Sequence, residues 1–158
     1  MVVYMLCGMA GSGKTTFARG LEREGAVRLS IDEHVFESHG RHGIDYPEHE
    51  YPTHHEAALA ELDRELADLL VAGRSVVLDY GFWSHDSRDR YKAMAEAHGA
   101  TWRLLYFKGD PAVLKERLEN RSTRGDANAL VVEERHFQEF MSRFDPPDSE
   151  DEEVIHQS

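Results

Sequence analysis

Cysteine is nearly absent from the sequence, which contains Cys7 and no other residue of this type. A single thiol cannot form an internal disulfide, and it cannot supply the ligands of a multi-cysteine metal site. Chains without disulfides are typical of reducing compartments, so we expect a cytoplasmic protein. Cys7 ends a short apolar run, where we expect a small buried side chain beside the loop that follows.

Long hydrophobic runs are missing as well. None approaches the roughly 20 residues that an α-helix needs to cross a bilayer. The first residues lack the basic region and the small-residue cleavage site of a signal peptide, and "MVVYMLC" is more typical of a buried strand. We therefore expect no association with a membrane.

Positive charge is scarce relative to negative charge. The chain has 18 Lys and Arg against 30 Asp and Glu, which gives a formal net charge of −12. Because phosphate binding relies on clustered cations, an acidic surface repels nucleic acid at long range. This disfavours a polynucleotide partner without excluding one, since a local basic groove can lie on an acidic protein. Part of the excess is the run "DSEDEE" at 148–153, which we expect to be solvated.

Short apolar runs alternate with helical patterns along the chain. Such alternation predicts a single domain, 1–158, in which a parallel sheet lies between two layers of helices. Residues 33–52 show no periodicity and are expected to be irregular, and so long a segment is more often functional than a simple connector. Strands are expected at 2–6, 26–30, 75–80, 102–107 and 153–156, and helices at 14–24, 53–72, 85–98, from Asp110 onward and at 131–144.

Three glycines lie within six residues of the stretch "GMAGSGKTT", which follows the first predicted strand and opens the first predicted helix. Residues 8–15 match G-x-x-x-x-G-K-[ST] at every position, in the strand–loop–helix context that this phosphate-binding motif requires. The glycines let successive N–H groups converge on phosphate oxygens, and the helix N-terminus adds free donors. Lys14 is expected to reach the β- and γ-phosphates, and the Thr15 hydroxyl to bind Mg²⁺. The predicted nucleotide-binding residues are Gly8, Gly11, Ser12, Gly13, Lys14, Thr15 and Thr16.

The segments "GMAGSGKTT" and "VVLDYGFWSHDSRDR" together resemble the small P-loop kinases. That group includes polynucleotide kinase, zeta-toxin-like and chloramphenicol-phosphotransferase-like enzymes, and gluconate-kinase-like proteins. The resemblance spans nearly the whole chain. It implies a three-layer P-loop NTPase sandwich, with a parallel five-stranded sheet of order 2-3-1-4-5 and a short arginine-bearing lid. It also implies ATP and Mg²⁺ as cofactors, and the absence of an Asn-Lys-x-Asp guanine-reading motif favours ATP over GTP.

Two aspartates follow predicted strands where the resembled kinases place carboxylates. Asp32 follows the second strand in "LSIDE", and the aspartate at that place in these kinases accepts the proton of the acceptor hydroxyl. The carboxyl ends of parallel strands face the ligand crevice, so a carboxylate there can orient a hydroxyl toward the γ-phosphorus. The alternative is that Asp32 caps the segment that follows. Asp79 ends the third strand, where these kinases place an acidic residue that holds Mg²⁺ through water. The alternatives are that Asp79 binds hydroxyls of the acceptor or that it only starts the following loop.

The resemblance also assigns roles to four arginines. Arg88 is in a register that faces the active site in the resembled proteins, although exposed helix arginines are common. Arg121 lies in a predicted lid, 120–131, where its guanidinium would neutralise charge that develops during transfer. Arg117 is expected against the adenine and Arg124 in the lid loop, both binding nucleotide. A solvated basic helix is the alternative for all three.

The irregular segment 33–52 is the expected wall of the acceptor site. Aromatic side chains there and after the third strand suit a sugar, a nucleoside or a drug-like ring. Histidines in and beside the segment raise a zinc hypothesis, although their positions match no characteristic ligand spacing. The wall residues are Phe36, Tyr46, Tyr51, Phe82 and Trp83, with core packing as the alternative for Trp83; the histidines are His39, His42, His49, His54 and His55.

The leading hypothesis is an ATP-dependent phosphotransferase that moves the γ-phosphoryl group of Mg-ATP to a hydroxyl of a small molecule. Lys14, Asp32, Arg88 and Arg121 would be its catalytic residues. A polynucleotide or nucleoside 5′-hydroxyl kinase and a toxin-like kinase acting on sugar nucleotides are alternatives of the same class. A nucleotide-dependent switch with weak hydrolysis and a protein partner is the alternative outside that class.

Overall fold

A computed structural model describes residues 1–8, 13–40, 44–109, 112, 116 and 141–157 of the chain. Within these residues, strands and helices follow one another as the sequence predicts, apart from one additional helix directly after the second strand. The helices predicted from Asp110 onward and at 131–144 lie almost entirely outside the described residues. The elements are β1 (Val2–Cys7), α1 (Lys14–Arg23), β2 (Val27–Leu29), α2 (Ile31–His39), α3 (Tyr51–Val71), β3 (Val76–Gly81), α4 (His85–Ala97), β4 (Thr101–Gly109) and β5 (Glu152–Gln157).

The five strands form one sheet with the order β2-β3-β1-β4-β5. Every pairing in it is parallel. The α/β fold and the strand order 2-3-1-4-5 are therefore confirmed. This order places β1 in the centre, with β3 and β4 on either side, so that the loop after β1 leaves the sheet between two neighbouring strands.

Side chains alternate across the sheet and bury both of its faces. On β1, Met5 and Cys7 belong to the larger apolar cluster, which contains the buried hydrophobic residues of α2, α3 and α4. Leu6 points into a second cluster with Ala18 of α1 and Leu105 of β4. Helices on both faces of a parallel sheet make the three predicted layers. Within the described ranges, no helix is both long enough and apolar enough to span a bilayer.

The expectation that residues 33–52 are irregular is wrong at both ends. A 3-10 turn at Glu48–Glu50 leads into α3 at Tyr51, and α2 begins directly after β2. Ser30 is the N-cap of this helix, and its hydroxyl accepts a hydrogen bond from the backbone N–H of Glu33 at 3.3 Å. Ile31 and Val35, four residues apart, are buried on one face. The sequence Ser-Ile-Asp-Glu has the spacing of a capping box, the local signal that a helix starts here.

Tyr80 carries a buried hydroxyl that has no hydrogen-bond partner among the described residues. Burial raises the pKa of this phenol, which stays neutral, and its ring stacks on Phe82. An unsatisfied buried hydroxyl costs about 1–3 kcal/mol, so Tyr80→Phe should raise the free energy of unfolding by about 1 kcal/mol. Urea titration would measure it. Tyr91→Phe is the matched comparison and should destabilise, because the Tyr91 hydroxyl donates to Asp63 at 2.6 Å.

Candidate active site

The predicted phosphate-binding end of the site lies between the end of β1 and the start of α1. The Gly8 N–H donates to the carbonyl of Gly81 at 2.9 Å, which ties the end of β1 to the end of β3. Gly13 is the N-cap of α1 and has a left-handed φ of 94°. A side chain would be strained there, which explains the glycine before Lys14. The first N–H groups of α1 have no acceptor within the helix and are therefore available to an anion.

Lys14 is the first residue of α1, and its side chain is buried. The ion pairs among the described residues do not use its ammonium group. Burial raises the pKa of Cys7 to about 11, while the nearby charges of Arg88 and Lys14 act in the opposite direction. Lys14 thus lies inside the loop end of the sheet, where the phosphate-binding prediction places it. Thr16 lies on the same first turn and is exposed.

Thr15 and Asp79 lie in contact, although 64 residues separate them in the chain. The Thr15 hydroxyl donates to Oδ2 of Asp79 at 3.1 Å. A hydroxyl and a carboxylate together form the hard oxygen donor set that Mg²⁺ prefers, usually with several waters retained. The two residues therefore fit the metal role predicted for them.

Sequence reasoning missed a third member of this cluster, Arg28 on β2. Its guanidinium donates to Asp79 Oδ2 from Nε at 3.2 Å and from Nη2 at 2.8 Å, and to Glu33 from Nη1 at 2.5 Å. Burial alone would lower the pKa of Arg28, but the charges and hydrogen bonds of Asp79 and Glu33 outweigh it and raise that pKa. The available signal was a charged residue inside the short apolar strand "AVRLS", which indicates a buried ion pair.

Asp32 lies in the first turn of α2, one residue before Glu33. Its Oδ1 accepts a hydrogen bond of 2.6 Å from the hydroxyl of Tyr51, at the start of α3. Burial raises the pKa of Tyr51, as does the charge of Asp32, so the phenol remains a donor. The alternative that Asp32 caps the helix is wrong, because Ser30 does so. The described residues provide no partner for Oδ2 of Asp32.

Aromatic rings and histidines pack together beside Asp32. His39 stacks on His54 with ring centroids 3.7 Å apart, and Tyr46 meets His54 edge-on at 4.9 Å. Burial lowers the pKa of His55, against the effect of the Asp32 charge, so this imidazole is neutral at pH 7. Three histidines of this group, His39, His54 and His55, take part in ring packing, and its described members form no three-ligand cluster. His42 lies outside the described residues.

The two aromatic residues after β3, Phe82 and Trp83, lie in different environments. Phe82 is buried against Tyr80 and Tyr91, so it is a core residue and not part of an acceptor wall. Trp83 is 40% exposed, and its carbonyl accepts a hydrogen bond from the Asp145 N–H at 2.8 Å. Core packing is therefore not the role of Trp83.

Arg88 lies in a buried ion pair with Glu150. Its side chain is 0% exposed and binds Glu150 through two parallel hydrogen bonds of 3.0 Å. The remaining nitrogen donates to the Phe82 carbonyl at 2.8 Å. This geometry favours a structural role over the predicted catalytic one. It also corrects the expectation that the run 148–153 is solvated throughout, since the Glu150 side chain is only 7% exposed.

Several predicted site residues lie outside the described residues, so their roles stay predictions. They are Gly11 and Ser12 of the phosphate loop, and Arg117, Arg121 and Arg124 with the lid 120–131.

The family comparison supports the same reading of the phosphate-binding end. A family model described as an AAA domain, AAA_33, matches residues 3–147, which include the phosphate loop, Asp32 and Asp79. The chain belongs to the AAA_33 family. The curated proteins contain no match to it.

Solved structures with the fold of this AAA_33 domain include several kinases. A presumed kinase from Chloroflexus aurantiacus J-10-fl superposes with a TM-score of 0.76 at 19% identity, over 99% of this chain and 84% of that one. A gluconokinase from Sinorhizobium meliloti 1021 gives 0.60 at 18% identity, over 98% and 80%. Kti12 from Chaetomium thermophilum, solved in complex with ADP-AlF3, gives 0.61 at 16%, over 99% and 88%. At these identities the likeness shows a shared fold.

Proposed function

We propose that this AAA_33 protein is an ATP-dependent phosphotransferase that moves the γ-phosphoryl group of Mg-ATP to a hydroxyl of a small molecule. One observation carries the proposal: Asp32 is held by Tyr51 at the same edge of the sheet as Lys14, Thr15 and Asp79. A pure binding site for nucleotide has no need of a second, separately oriented carboxylate. A kinase needs one to receive the acceptor.

The position of each site residue supports a particular role in phosphoryl transfer. The N–H groups at the start of α1 and the Lys14 ammonium bind the phosphates and orient them. Thr15 and Asp79 would hold Mg²⁺, which neutralises charge on the transferring phosphoryl group. Asp32 accepts the proton of the acceptor hydroxyl while the oxygen of that hydroxyl bonds to the γ-phosphorus. The bond from that phosphorus to the bridging oxygen breaks, and ADP leaves with the electron pair.

The charge of the acceptor side supports a small molecule over a polynucleotide. Helices α2 and α3, which supply Asp32 and Tyr51, carry eight Asp and Glu against one Arg. A nucleic-acid 5′ end would bring its phosphates toward these carboxylates, which repel them. An uncharged or cationic hydroxyl compound meets no such repulsion. Tyr46 belongs to the buried core, so its expected place in the acceptor wall is wrong. The neutral ring of His55 is partly exposed and suits the apolar face of a sugar or a similar ring.

The proposal is tested by following ADP release from Mg-ATP while pools of hydroxyl compounds are added. Sugars, amino sugars, nucleosides and oligonucleotides form separate pools, and mass spectrometry identifies the phosphorylated acceptor. We expect stimulation by a small-molecule pool and no turnover by Lys14→Ala in any pool. Stimulation by oligonucleotides alone would instead support the nucleic-acid kinase. Tight nucleotide binding without stimulation by any pool would support a switch.

A further inference from the structure

Arg28 is an arginine buried between two carboxylates that belong to different parts of the site. Its side chain and that of Asp79 are each 5% exposed, while Glu33 is 30% exposed. β2 pairs with β3 so that Arg28 lies opposite Val77, two residues before Asp79. This register brings the guanidinium to the Asp79 carboxylate from the side of the neighbouring strand.

The hydrogen bonds of Asp79 are concentrated on one of its two oxygens. Oδ2 accepts from Nε and Nη2 of Arg28 and from the hydroxyl of Thr15. The described part of the chain offers Oδ1 no partner. Three donors on one oxygen fix the rotation of the carboxylate, and they leave the other oxygen available to accept from metal-bound water.

The third nitrogen of the same guanidinium reaches α2. Nη1 donates to Oε2 of Glu33, whose backbone N–H is capped by Ser30. Glu33 is the residue after Asp32, so one side chain connects the first turn of the helix that carries the base to the strand that carries the metal carboxylate. A planar fork can bind both carboxylates at once, whereas a lysine ammonium is a single point of charge.

We propose that Arg28 is a positioning residue that orients Asp79 for the Mg²⁺ of a bound nucleotide, while Glu33 holds its guanidinium in place. The inference rests on the proposed function for the use of Mg-nucleotide. It adds a residue outside the phosphate-loop motif. Removal of a group that orients a metal-binding carboxylate lowers metal affinity by about 10- to 100-fold.

Arg28→Lys tests the inference, because it keeps the positive charge and removes the fork. Calorimetric titration with ADP in the presence and absence of Mg²⁺ gives the ratio of the two ADP affinities, which we call the Mg²⁺ factor. We expect that factor to fall by about tenfold, while ADP affinity without Mg²⁺ stays within about twofold. Arg103→Lys is the matched control, since Arg103 makes a two-bonded fork to Glu153 between β4 and β5 and should leave both affinities unchanged.

A purely structural role gives a different result. If Arg28→Lys lowers ADP affinity equally with and without Mg²⁺, or lowers only the melting temperature, the positioning role is wrong. Should Arg28→Lys fail to fold, Glu33→Gln is the second variant. Glu33 is half-buried, and its substitution loosens the Arg28 guanidinium. We expect the Mg²⁺ factor to fall by about threefold in this variant. No change in that variant would overturn the inference.

The two proposals can fail separately. A normal Mg²⁺ factor in both variants, together with active phosphotransfer by the wild type, refutes only the role of Arg28. A lowered Mg²⁺ factor, together with the absence of any acceptor, refutes only the phosphotransferase.

Discussion

Asp32→Asn is expected to lower acceptor-stimulated ADP release by about 10²- to 10⁴-fold, the range contributed by a positioned general base. Asparagine has nearly the same shape, and its amide oxygen can still accept the hydrogen bond from Tyr51. It cannot take up the proton of the acceptor hydroxyl. Binding of ADP, measured by calorimetry, should be unchanged, because Asp32 lies on α2 and not on the phosphate loop.

Tyr51→Phe extends this test to the group that orients the base. The variant loses the 2.6 Å hydrogen bond to Asp32 and should reduce the stimulated rate by about tenfold, a loss of about 1.4 kcal/mol, with ADP binding unchanged. Tyr80→Phe removes a phenol hydroxyl that has no described partner and serves as the matched control. If Asp32→Asn leaves the stimulated rate intact, Asp32 is not the base and the phosphotransfer mechanism must be revised.

Glu150→Gln is expected to lower the free energy of unfolding at pH 7 by about 3 kcal/mol, the lower end of the cost of breaking a buried ion pair. The substitution leaves the fully buried guanidinium of Arg88 without its counter-charge. Urea denaturation measures the loss. Glu153→Gln is the control: its pair with Arg103 is about half exposed on both sides, so a change below about 1 kcal/mol is expected.

The same ion pair predicts how stability depends on pH. Burial by itself would raise the pKa of Glu150, but the hydrogen bonds and charge of Arg88, with contributions from His85 and Lys92, lower it to about 2. A carboxyl whose pKa is depressed by folding stabilises the protein above its unfolded value and loses that contribution as the pH falls. About 3 kcal/mol should therefore disappear between pH 4.5 and pH 2. Over that interval the difference between wild type and Glu150→Gln should close; a constant difference would show that the pair does not act through charge.

Arg88 illustrates where sequence reasoning reached its limit. Its place on α4 was predicted correctly, since the periodicity of 85–97 is local. Its partner Glu150 lies 62 residues away, in a run that charge alone marks as solvated. An ion pair between such distant positions depends on how α4 packs beside the segment before β5, and no short-range pattern encodes that.

Arg28 and α2 show two different kinds of omission. The start of α2 has a local signal, because Ser30 and Glu33 have capping-box spacing, but the glycines and prolines at 40–52 give the segment as a whole the composition of a loop. For Arg28, the sequence shows only a charged residue within an apolar strand. That its partners are Asp79 and Glu33 follows from the pairing of β2 with β3, which the strand order decides.

The amino-acid sequence by itself determined the alternation of strands and helices, the parallel sheet and the place of the phosphate-loop motif between β1 and α1. These depend on hydrophobic period, on glycine and proline, and on a motif whose members are adjacent in the chain. Only the tertiary structure decided which side chains these residues contact: Tyr51 on Asp32, Arg28 on Asp79, and Glu150 on Arg88. Each of these contacts joins residues from separate elements, so each depends on the packing of the whole sheet and its helices and not on any single stretch of chain.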